Sequence, residues 1–133
     1  MSKPPPTRAL EDRDYERLLR FRTELRRFLR WSEEEAATAG LTAAQHQLLL
    51  AVRGHPGPDA PTIGDVADSL LLQHHSVTGL VDRTVAAGWL RRKRDAGDRR
   101  VVHLELTPEG AGVLARLSEV HLAELDRLRR GLR

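Results

Sequence analysis

The chain has 133 residues, of which 40% are hydrophobic, 31% charged and only 4% aromatic, so we expect one soluble globular domain with a helical core of Leu, Val and Ala. It has no Cys, which excludes disulfides, Cys-ligated zinc, iron–sulfur clusters and thiol redox sensing, and its formal net charge is only +3. No apolar run approaches the ~20 residues of a membrane span and no secretion signal opens the sequence, so we expect a cytoplasmic protein without a membrane partner.

The N-terminal part of the chain predicts a loose arm followed by two helices. The first eight residues carry three prolines and are expected to form the arm. A long amphipathic helix is predicted over 11–39, because apolar residues recur at three- and four-residue steps, and Gly40 is expected to end it. Thr42 and Gln45 form a capping box, which predicts a second helix over about 43–53.

A helix-turn-helix pattern follows a loop that contains three prolines and two glycines. Thr62, with Asp65 three residues later, caps a short helix that ends at Leu70. Residues 71–72 carry the turn, and another helix is predicted over 73–88, with an apolar stripe of Val77, Leu80, Val81, Thr84 and Val85. Two short helices joined by a tight turn are typical of a helix-turn-helix, although many helical proteins contain such pairs.

The most basic stretch of the sequence is RRKRDAGDRR, residues 91–100. It holds six bases and two acids, a local charge of +4, so the rest of the chain sums to about −1. Two segments with strand character, 89–94 and 101–107, flank Asp-Ala-Gly-Asp at 95–98. This tetrapeptide is typical of a hairpin turn in which Gly97 supplies a positive φ. The basic stretch is therefore predicted to be the tip of a β-hairpin wing.

The predicted fold is mainly α with a small β-hairpin wing, a winged helix-turn-helix in a single domain over 1–133. Its DNA-binding core is expected over 43–107, followed by a last helix over 108–133 that starts with Thr107 as N-cap and Pro in the first turn. The helices over 11–39 and 108–133 have wide apolar faces and are expected to dimerise. An isologous dimer matches a palindromic DNA site.

Four short segments carry a resemblance to a known family. They are VTGLVDR (77–83), AAGWL (86–90), DRR (98–100) and LTPEG (106–110). In this order and spacing they resemble the MarR family, the multiple-antibiotic-resistance regulators of bacterial transcription. The resemblance implies a homodimeric repressor of a pseudo-palindromic operator in double-stranded DNA, released by a small, often phenolic, effector. It also implies that the helix over 73–87 enters the major groove and the wing enters the adjacent minor groove.

The sequence departs from the family pattern at three places. Gly79 stands where an Arg or a similar polar residue is frequent, which removes one possible DNA contact. Gln73 is a poorer N-cap than the Ser or Thr often found there. The family usually has a further helix after the one that starts at Pro108, and we expect that element to be short or missing here.

The predicted recognition helix offers six polar residues to DNA: Gln73, His74, His75, Ser76, Thr78 and Arg83. His74, His75 and Thr78 are expected to reach base edges, whereas Ser76 and the helix N-terminus suit phosphate. Arg83 suits a phosphate or a guanine edge. The alternative is that these are surface residues without a role in DNA binding.

Four wing residues, Arg94, Asp98, Arg99 and Arg100, form the second predicted contact. The resemblance implies that Arg100 enters the minor groove, where the negative potential is enhanced. Asp98 is expected to hold this arginine in one orientation, and Arg94 and Arg99 are expected to pair with phosphates. A solvated charged turn is the alternative interpretation.

An effector pocket is the third predicted site, by family placement only. Phe28, Trp31, His46, Gln47 and Leu50 would line it, although plain helix packing is the favoured role for most of them. We expect no cofactor and no metal, because the adjacent His74 and His75 point about 100° apart on a helix.

Other functional classes find less support in the sequence. An enzyme is not expected, since no nucleophile–base constellation, P-loop or Gly-rich nucleotide loop is present. The main alternative is a non-specific architectural DNA-binding winged-helix protein, with low sequence preference and strong salt dependence. A protein-interaction module is a further alternative, which the cations of the wing disfavour.

Overall fold

The computed structural model describes residues 3–4 and 8–131. In this part of the chain it contains, in order, α1 (Asp12–Thr38), α2 (Ala43–Arg53), α3 (Ile63–Leu70), α4 (His74–Ala86), β1 (Leu90–Arg94), β2 (Val102–Leu106) and α5 (Pro108–Gly131). The predicted fold class and element order are confirmed. The predicted N-terminal arm lies mostly outside the described residues, as do the last two residues of the helix predicted over 108–133.

Helix α1 ends at the glycine that the sequence predicts. Gly40 has a φ of +90°, a left-handed conformation that suits glycine. Its amide donates to the Ala37 carbonyl at 3.0 Å, and the Leu41 amide donates to the Ala36 carbonyl at 2.9 Å. These two bonds satisfy carbonyls at the helix end, and the buried Leu41 and Ala36 add the apolar contact that usually accompanies this motif.

Both predicted capping boxes are present. The Gln45 amide donates to Thr42 Oγ1 at 3.1 Å, and the Thr42 amide donates to Gln45 Oε1 at 3.0 Å. The same reciprocal pair joins Thr62 and Asp65, at 3.2 and 2.9 Å. By contrast, Gln73 makes no side-chain cap at the start of α4. The recognition helix therefore begins without the side-chain acceptor that α2 and α3 have.

The turn between α3 and α4 lies at residues 71–72, as predicted. Leu71 has a left-handed φ of 56° and is 91% exposed. The Leu72 amide donates back to the Ala67 carbonyl at 3.0 Å and closes the turn. A left-handed conformation costs a non-glycine residue about 1 kcal/mol or more. The packing of α3 against α4 must therefore offset this cost at Leu71.

The core lies where α2, α3, α4, β2 and the first half of α5 meet. On α4, Val77, Leu80, Val81 and Thr84 are buried as the apolar stripe predicts. Thr84 is tolerated there because its hydroxyl donates to the Leu80 carbonyl at 2.7 Å. The remaining members of the core include Leu41, Leu48, Leu49, Val52, Val66, Leu90, Leu104, Val113, Leu114 and Leu117.

The two strands form an antiparallel hairpin in register from Leu90 opposite Leu106 to Arg94 opposite Val102. The other edge of β2 contacts the segment before α3, through a bridge between Thr62 and His103. The wing is thereby attached to the helix-turn-helix on a second side.

The positive φ predicted for Gly97 is wrong: among the glycines of the described residues, only Gly40 and Gly88 adopt one. The wing loop spans residues 95–101, and the Asp95 amide donates to the Val101 carbonyl at 2.9 Å. A loop of this length does not need the primed turn of a two-residue hairpin. The Asp95 carboxylate instead accepts the Gly97 and Asp98 amides, both at 2.9 Å, which turns the chain with ordinary φ values.

The segments AAGWL and LTPEG interlock at the base of the wing. Thr107 Oγ1 donates to the Gly88 carbonyl at 2.7 Å and accepts the Gly110 amide at 3.0 Å, which confirms Thr107 as the cap of α5. A Cβ atom on Gly110 would lie 2.0 Å from the Trp89 carbonyl oxygen. No other residue fits there without a shift of the backbone, so α5 starts in direct contact with the start of the hairpin.

Candidate nucleic-acid interface

The first turn of α4 presents polar side chains to solvent. Gln73, His74, His75 and Ser76 are all exposed, while the next residue, Val77, is fully buried. The apolar stripe thus fixes which face of α4 points outward. The exposed and buried faces of α4 are therefore the ones that the sequence predicts.

Two further predicted contacts on α4 are more constrained. Thr78 is half-buried and its hydroxyl donates to the His74 carbonyl at 3.1 Å, so it offers a methyl group and acceptor lone pairs. A Cβ atom on Gly79 would lie 3.4 Å from Arg83 Nη1, and the guanidinium of Arg83 therefore lies over the glycine. The absence of a side chain at position 79 makes room for an arginine from the next turn.

At the wing tip, Asp98 holds Arg100 in one orientation. The Arg100 Nε and Nη2 atoms donate to the two oxygens of Asp98, each at 3.2 Å, and the Arg100 amide donates to Oδ1 at 3.0 Å. The side-chain hydrogen bonds from Arg100, and then its amide, lower the pKa of Asp98, which keeps this carboxylate ionised. The Arg100 side chain nevertheless remains 91% exposed, so the guanidinium is both oriented and accessible.

The six cations of the basic stretch divide into two groups that the sequence does not distinguish. In the strand, Arg91 and Lys93 pair with Glu105 at 3.2 and 3.7 Å, and Arg92 pairs with Asp82 of α4. These acids neutralise the stem of the wing and tie it to α4.

The cations nearer the tip are arranged differently. Arg94 Nη1 donates to the Arg99 carbonyl at 2.8 Å, across the loop. Neither the Arg94 nor the Arg99 guanidinium forms an ion pair with another residue of the described chain. At the tip, Arg94 and Arg99 are therefore free to pair with phosphates, and Arg100, although paired with Asp98, is more exposed than any cation of the stem.

His103 and Asp95 are residues of this surface that the sequence analysis missed. His103 Nδ1 lies 2.5 Å from the Ala60 carbonyl oxygen, and its Nε2 lies 3.0 Å from Asp95 Oδ1. Hydrogen bonds from His103, and then from the Asp98 and Gly97 amides, lower the pKa of Asp95. The contact with Ala60 joins residues 43 positions apart, and no local pattern predicts it.

A largely apolar cavity of about 450 Å³ lies between α1, α2 and α5. Four of the five residues predicted for an effector pocket line it: Phe28, His46, Gln47 and Leu50. Trp31 is not among the lining residues; its ring packs on His121, with the ring centroids 4.7 Å apart.

The polar end of this cavity consists of Ser32 and two histidines. Since the Leu117 carbonyl can only accept, His121 Nδ1 donates to it at 2.6 Å, and His121 Nε2 shares a 2.7 Å hydrogen bond with Ser32 Oγ. His46 is buried, and its Nδ1 has no hydrogen-bond partner among the described residues. Burial, and then the nearby His121, lowers the pKa of His46.

Residues 3–4 and 8–131 hold no group of three or more His, Cys, Asp or Glu side chains arranged to bind a metal ion. In the same part of the chain, no helix has the length and hydrophobicity required to cross a membrane.

Residues 39–101, which include α2, α3, α4, β1 and the wing loop, match the model of the MarR family. Over this part, slightly less than half of its length, the chain is similar to the MarR family. Over 82 residues it is 34% identical to the HTH-type transcriptional regulator PecS of Dickeya dadantii, an alignment that covers 62% of this chain and 49% of PecS. The chain thus spans about half the length of the relatives it matches.

Solved structures show the same fold. AbsC, a MarR family transcriptional regulator from Streptomyces coelicolor, aligns with a TM-score of 0.76 and 22% identity, covering 96% of this chain and 85% of AbsC. A mutant of Staphylococcus aureus MepR bound to an oligodeoxyribonucleotide aligns with a TM-score of 0.70 and 20% identity, covering 88% and 82% of the two chains. The relatives carry the names of transcriptional regulators and not of enzymes, in agreement with the sequence analysis.

Proposed function

We propose that this chain is a DNA-binding transcriptional regulator of the MarR family that acts as a homodimeric repressor of a pseudo-palindromic operator, on the bacterial nucleoid in the cytoplasm. The observation that carries the proposal is the wing tip, where Asp98 orients an Arg100 that stays almost fully exposed. An exposed guanidinium held by a carboxylate contributes little to stability, so its arrangement requires another explanation. The DNA-bound MepR structure, which has the same fold, supports it.

In this proposal α4 enters the major groove with the exposed residues of its first turn. His74, His75 and Thr78 face base edges, and Ser76 with the uncapped N-terminus faces phosphate. Arg83, lying over Gly79, reaches toward the same end of the helix. The missing cap at Gln73 suits this role, because a capping side chain would occupy amides that a phosphate oxygen can use.

The wing supplies the second contact. Arg100 enters the adjacent minor groove, where a guanidinium responds to groove width as well as to sequence. Arg94 and Arg99 contact the flanking phosphates. The stem cations are already paired with Glu105 and Asp82, so we expect them to contribute less to DNA binding than the tip.

The homodimer is supported by the exposed apolar surface of the terminal helices. On α1 the side chains of Tyr15, Leu18, Leu19 and Phe21 are each more than half exposed, and on α5 Leu122 is 62% exposed. A contiguous apolar face of this kind marks an interaction surface. A second copy of the chain covers it in a twofold arrangement that matches two half-sites of DNA.

An effector is proposed for the cavity between α1, α2 and α5. Its volume of about 450 Å³ suits a small organic ligand, and it combines apolar walls with a few polar groups. Because its walls come from both terminal helices and from α2, a ligand there acts on the spacing between the dimer interface and the DNA-binding core. Binding by a small molecule, such as a phenol, would release the protein from DNA.

Fluorescence anisotropy on DNA from upstream of the protein's own gene tests the proposal, with scrambled DNA of equal length as the reference at two salt concentrations. We expect binding to the upstream DNA to be tighter by about 10³-fold or more. Arg100→Ala should weaken it by roughly tenfold to a hundredfold, and Arg91→Ala, which removes an equal charge from the stem, by much less.

Other outcomes would point elsewhere. Equal, salt-labile binding to both DNAs, with equal losses in the two variants, would favour a non-specific architectural DNA-binding protein. No binding at either salt concentration would contradict the proposal and favour a protein-interaction module.

A further inference from the structure

Beside the main-chain bridge between β2 and the segment before α3, one imidazole ring links that segment to the wing loop. His103 Nδ1 lies 2.5 Å from the Ala60 carbonyl oxygen, and Nε2 lies 3.0 Å from Asp95 Oδ1. A carbonyl and an ionised carboxylate only accept hydrogen bonds. Both ring nitrogens must therefore donate, which only the imidazolium form of His103 can do.

The carboxylate that His103 contacts organises the wing loop. One oxygen of Asp95 accepts from His103, and the other accepts the amides of Gly97 and Asp98, at 2.9 Å each. The Asp98 side chain in turn accepts three hydrogen bonds from Arg100. A continuous chain of hydrogen bonds thus runs from Ala60, through His103, Asp95 and Asp98, to the guanidinium of Arg100.

We propose that His103 is a positioning residue of the wing, whose doubly protonated ring fixes the loop that presents Arg100. This inference rests on the proposed function, since it takes DNA as the partner that Arg100 contacts. When His103 loses its proton, one of its nitrogens presents a lone pair to an oxygen. One of the two bonds then breaks, and the loop loses the side-chain link through His103 to the segment before α3.

The charged groups around His103 favour the protonated ring. Asp95 and Asp59 face it from the wing and from the loop before α3, and Asp65 of α3 lies close enough to interact with it. The cations opposed to it are Lys93, its partner across the hairpin, which is paired with Glu105, and His55, which lies 3.9 Å from Asp65. The hydrogen bond to the Ala60 carbonyl, and then the one to Asp95, raises the pKa of His103.

The sign of the pH dependence follows from these directions. A raised pKa means that the contribution of His103 is complete below the ordinary histidine value of about 6.5 and is lost as the pH rises through the raised value. The lowered pKa of Asp95 means that its contribution is present above about 3.9 and is lost in acid. The wing loop is therefore best ordered in mildly acidic to neutral solution.

NMR of the free protein gives the first test and involves no DNA. The titration of the His103 ring protons should coincide in midpoint with chemical-shift changes of the Gly97 and Asp98 amides. The amide titration should disappear in His103→Gln, while the strand amides of Leu90 and Leu106 keep their shifts in that variant. If the Gly97 and Asp98 amide chemical shifts do not change at the His103 midpoint, the proposal is overturned, whether or not the protein binds DNA.

A double-mutant cycle on DNA gives the second test. We expect His103→Gln to weaken binding by about threefold or more near pH 6 and to have little effect near pH 8.5. The loss should vanish in the Arg100→Ala background, because His103 acts through that arginine. An equal loss at both pH values, or an undiminished loss without Arg100, would overturn the positioning role.

The two tests separate the two proposals. If the wild-type protein binds no DNA at any pH, the proposed function fails, whereas the coupling between His103 and the loop is still decided by the NMR titration. His74 and His75 also lie on the proposed DNA surface, but their contribution persists in the Arg100→Ala background and is thereby distinguished.

Discussion

Helices α4 and α1 have the same amphipathic period but bury their apolar faces to very different extents. Val77, Leu80 and Val81 of α4 are at most 4% exposed, whereas Leu18 and Leu19 of α1 are 62% and 65% exposed. Periodicity therefore predicts that the apolar face of a helix is buried but does not identify the surface that buries it. For α4 the cover is the rest of this chain, and for α1 we propose that it is a second copy.

The largest expected effect comes from truncating a buried leucine of the winged-helix core, and an exposed leucine of α1 serves as the comparison. Leu104→Ala removes a fully buried side chain from the winged-helix core and should lower the free energy of unfolding by about 3 kcal/mol or more. Leu18→Ala should cost about 0.5 kcal/mol or less in the monomer. Urea denaturation at low and high protein concentration measures both.

We expect the loss in Leu104→Ala to be the same at every protein concentration, and the loss in Leu18→Ala to increase where the dimer forms. A large loss in Leu18→Ala at the lowest concentrations would mean that α1 is already covered within one chain, and the comparison would fail.

Dilution of the unmodified protein tests the same comparison without a mutation. If the dimer covers α1, each tenfold dilution should lower the free energy of unfolding by about 1.4 kcal/mol of dimer, because folding and association are linked. Sedimentation equilibrium over the same range should show the mass falling from twice 14.9 kDa toward that value. Stability independent of concentration would contradict the dimer.

A smaller effect is expected at Gly79, on the outer face of α4. Gly79→Ala should raise the free energy of unfolding by about 0.5–1 kcal/mol, because glycine is a poor helix former and the only close neighbour of the new methyl is the flexible tip of Arg83. Operator affinity should nevertheless fall, since the methyl contacts that guanidinium and restricts the positions it can take toward DNA.

Gly112→Ala is the matched control, because Gly112 lies in α5 with the Nη1 of Arg116 at 3.6 Å in the same arrangement. It should give a similar gain in stability with no change in DNA binding, as measured by thermal melts and anisotropy. Equal DNA affinity in both variants would show that Arg83 has no role in the interface.

Features encoded by neighbouring residues could be predicted from the sequence. Gly40 ends α1, and the Thr42 and Thr62 capping boxes open α2 and α3, because each depends on residues within four positions of one another. The buried stripe of α4 was predictable for the same reason. Asp98 and Arg100 were placed together because they are two residues apart and match a family motif.

Features that depend on the folded arrangement could not be predicted. The pairing of Arg92 with Asp82 and of Arg91 with Glu105 follows from strand register and from the packing of α4 on the hairpin. The contact between His103 and Ala60 requires the loop before α3 to lie beside β2. The conformation of Gly97 was predicted wrongly because tetrapeptide composition alone does not reveal that Asp95 closes a longer loop.

The close approach of Gly110 to the Trp89 carbonyl has a mechanical consequence. With no side chain between them, and with Thr107 bonded to both Gly88 and Gly110, the first turn of α5 and the base of the wing have no room to slide past each other. A tilt of α5 should therefore move the base of the hairpin with it. Any event that separates the terminal helices would therefore change the spacing of the two wings in the proposed dimer.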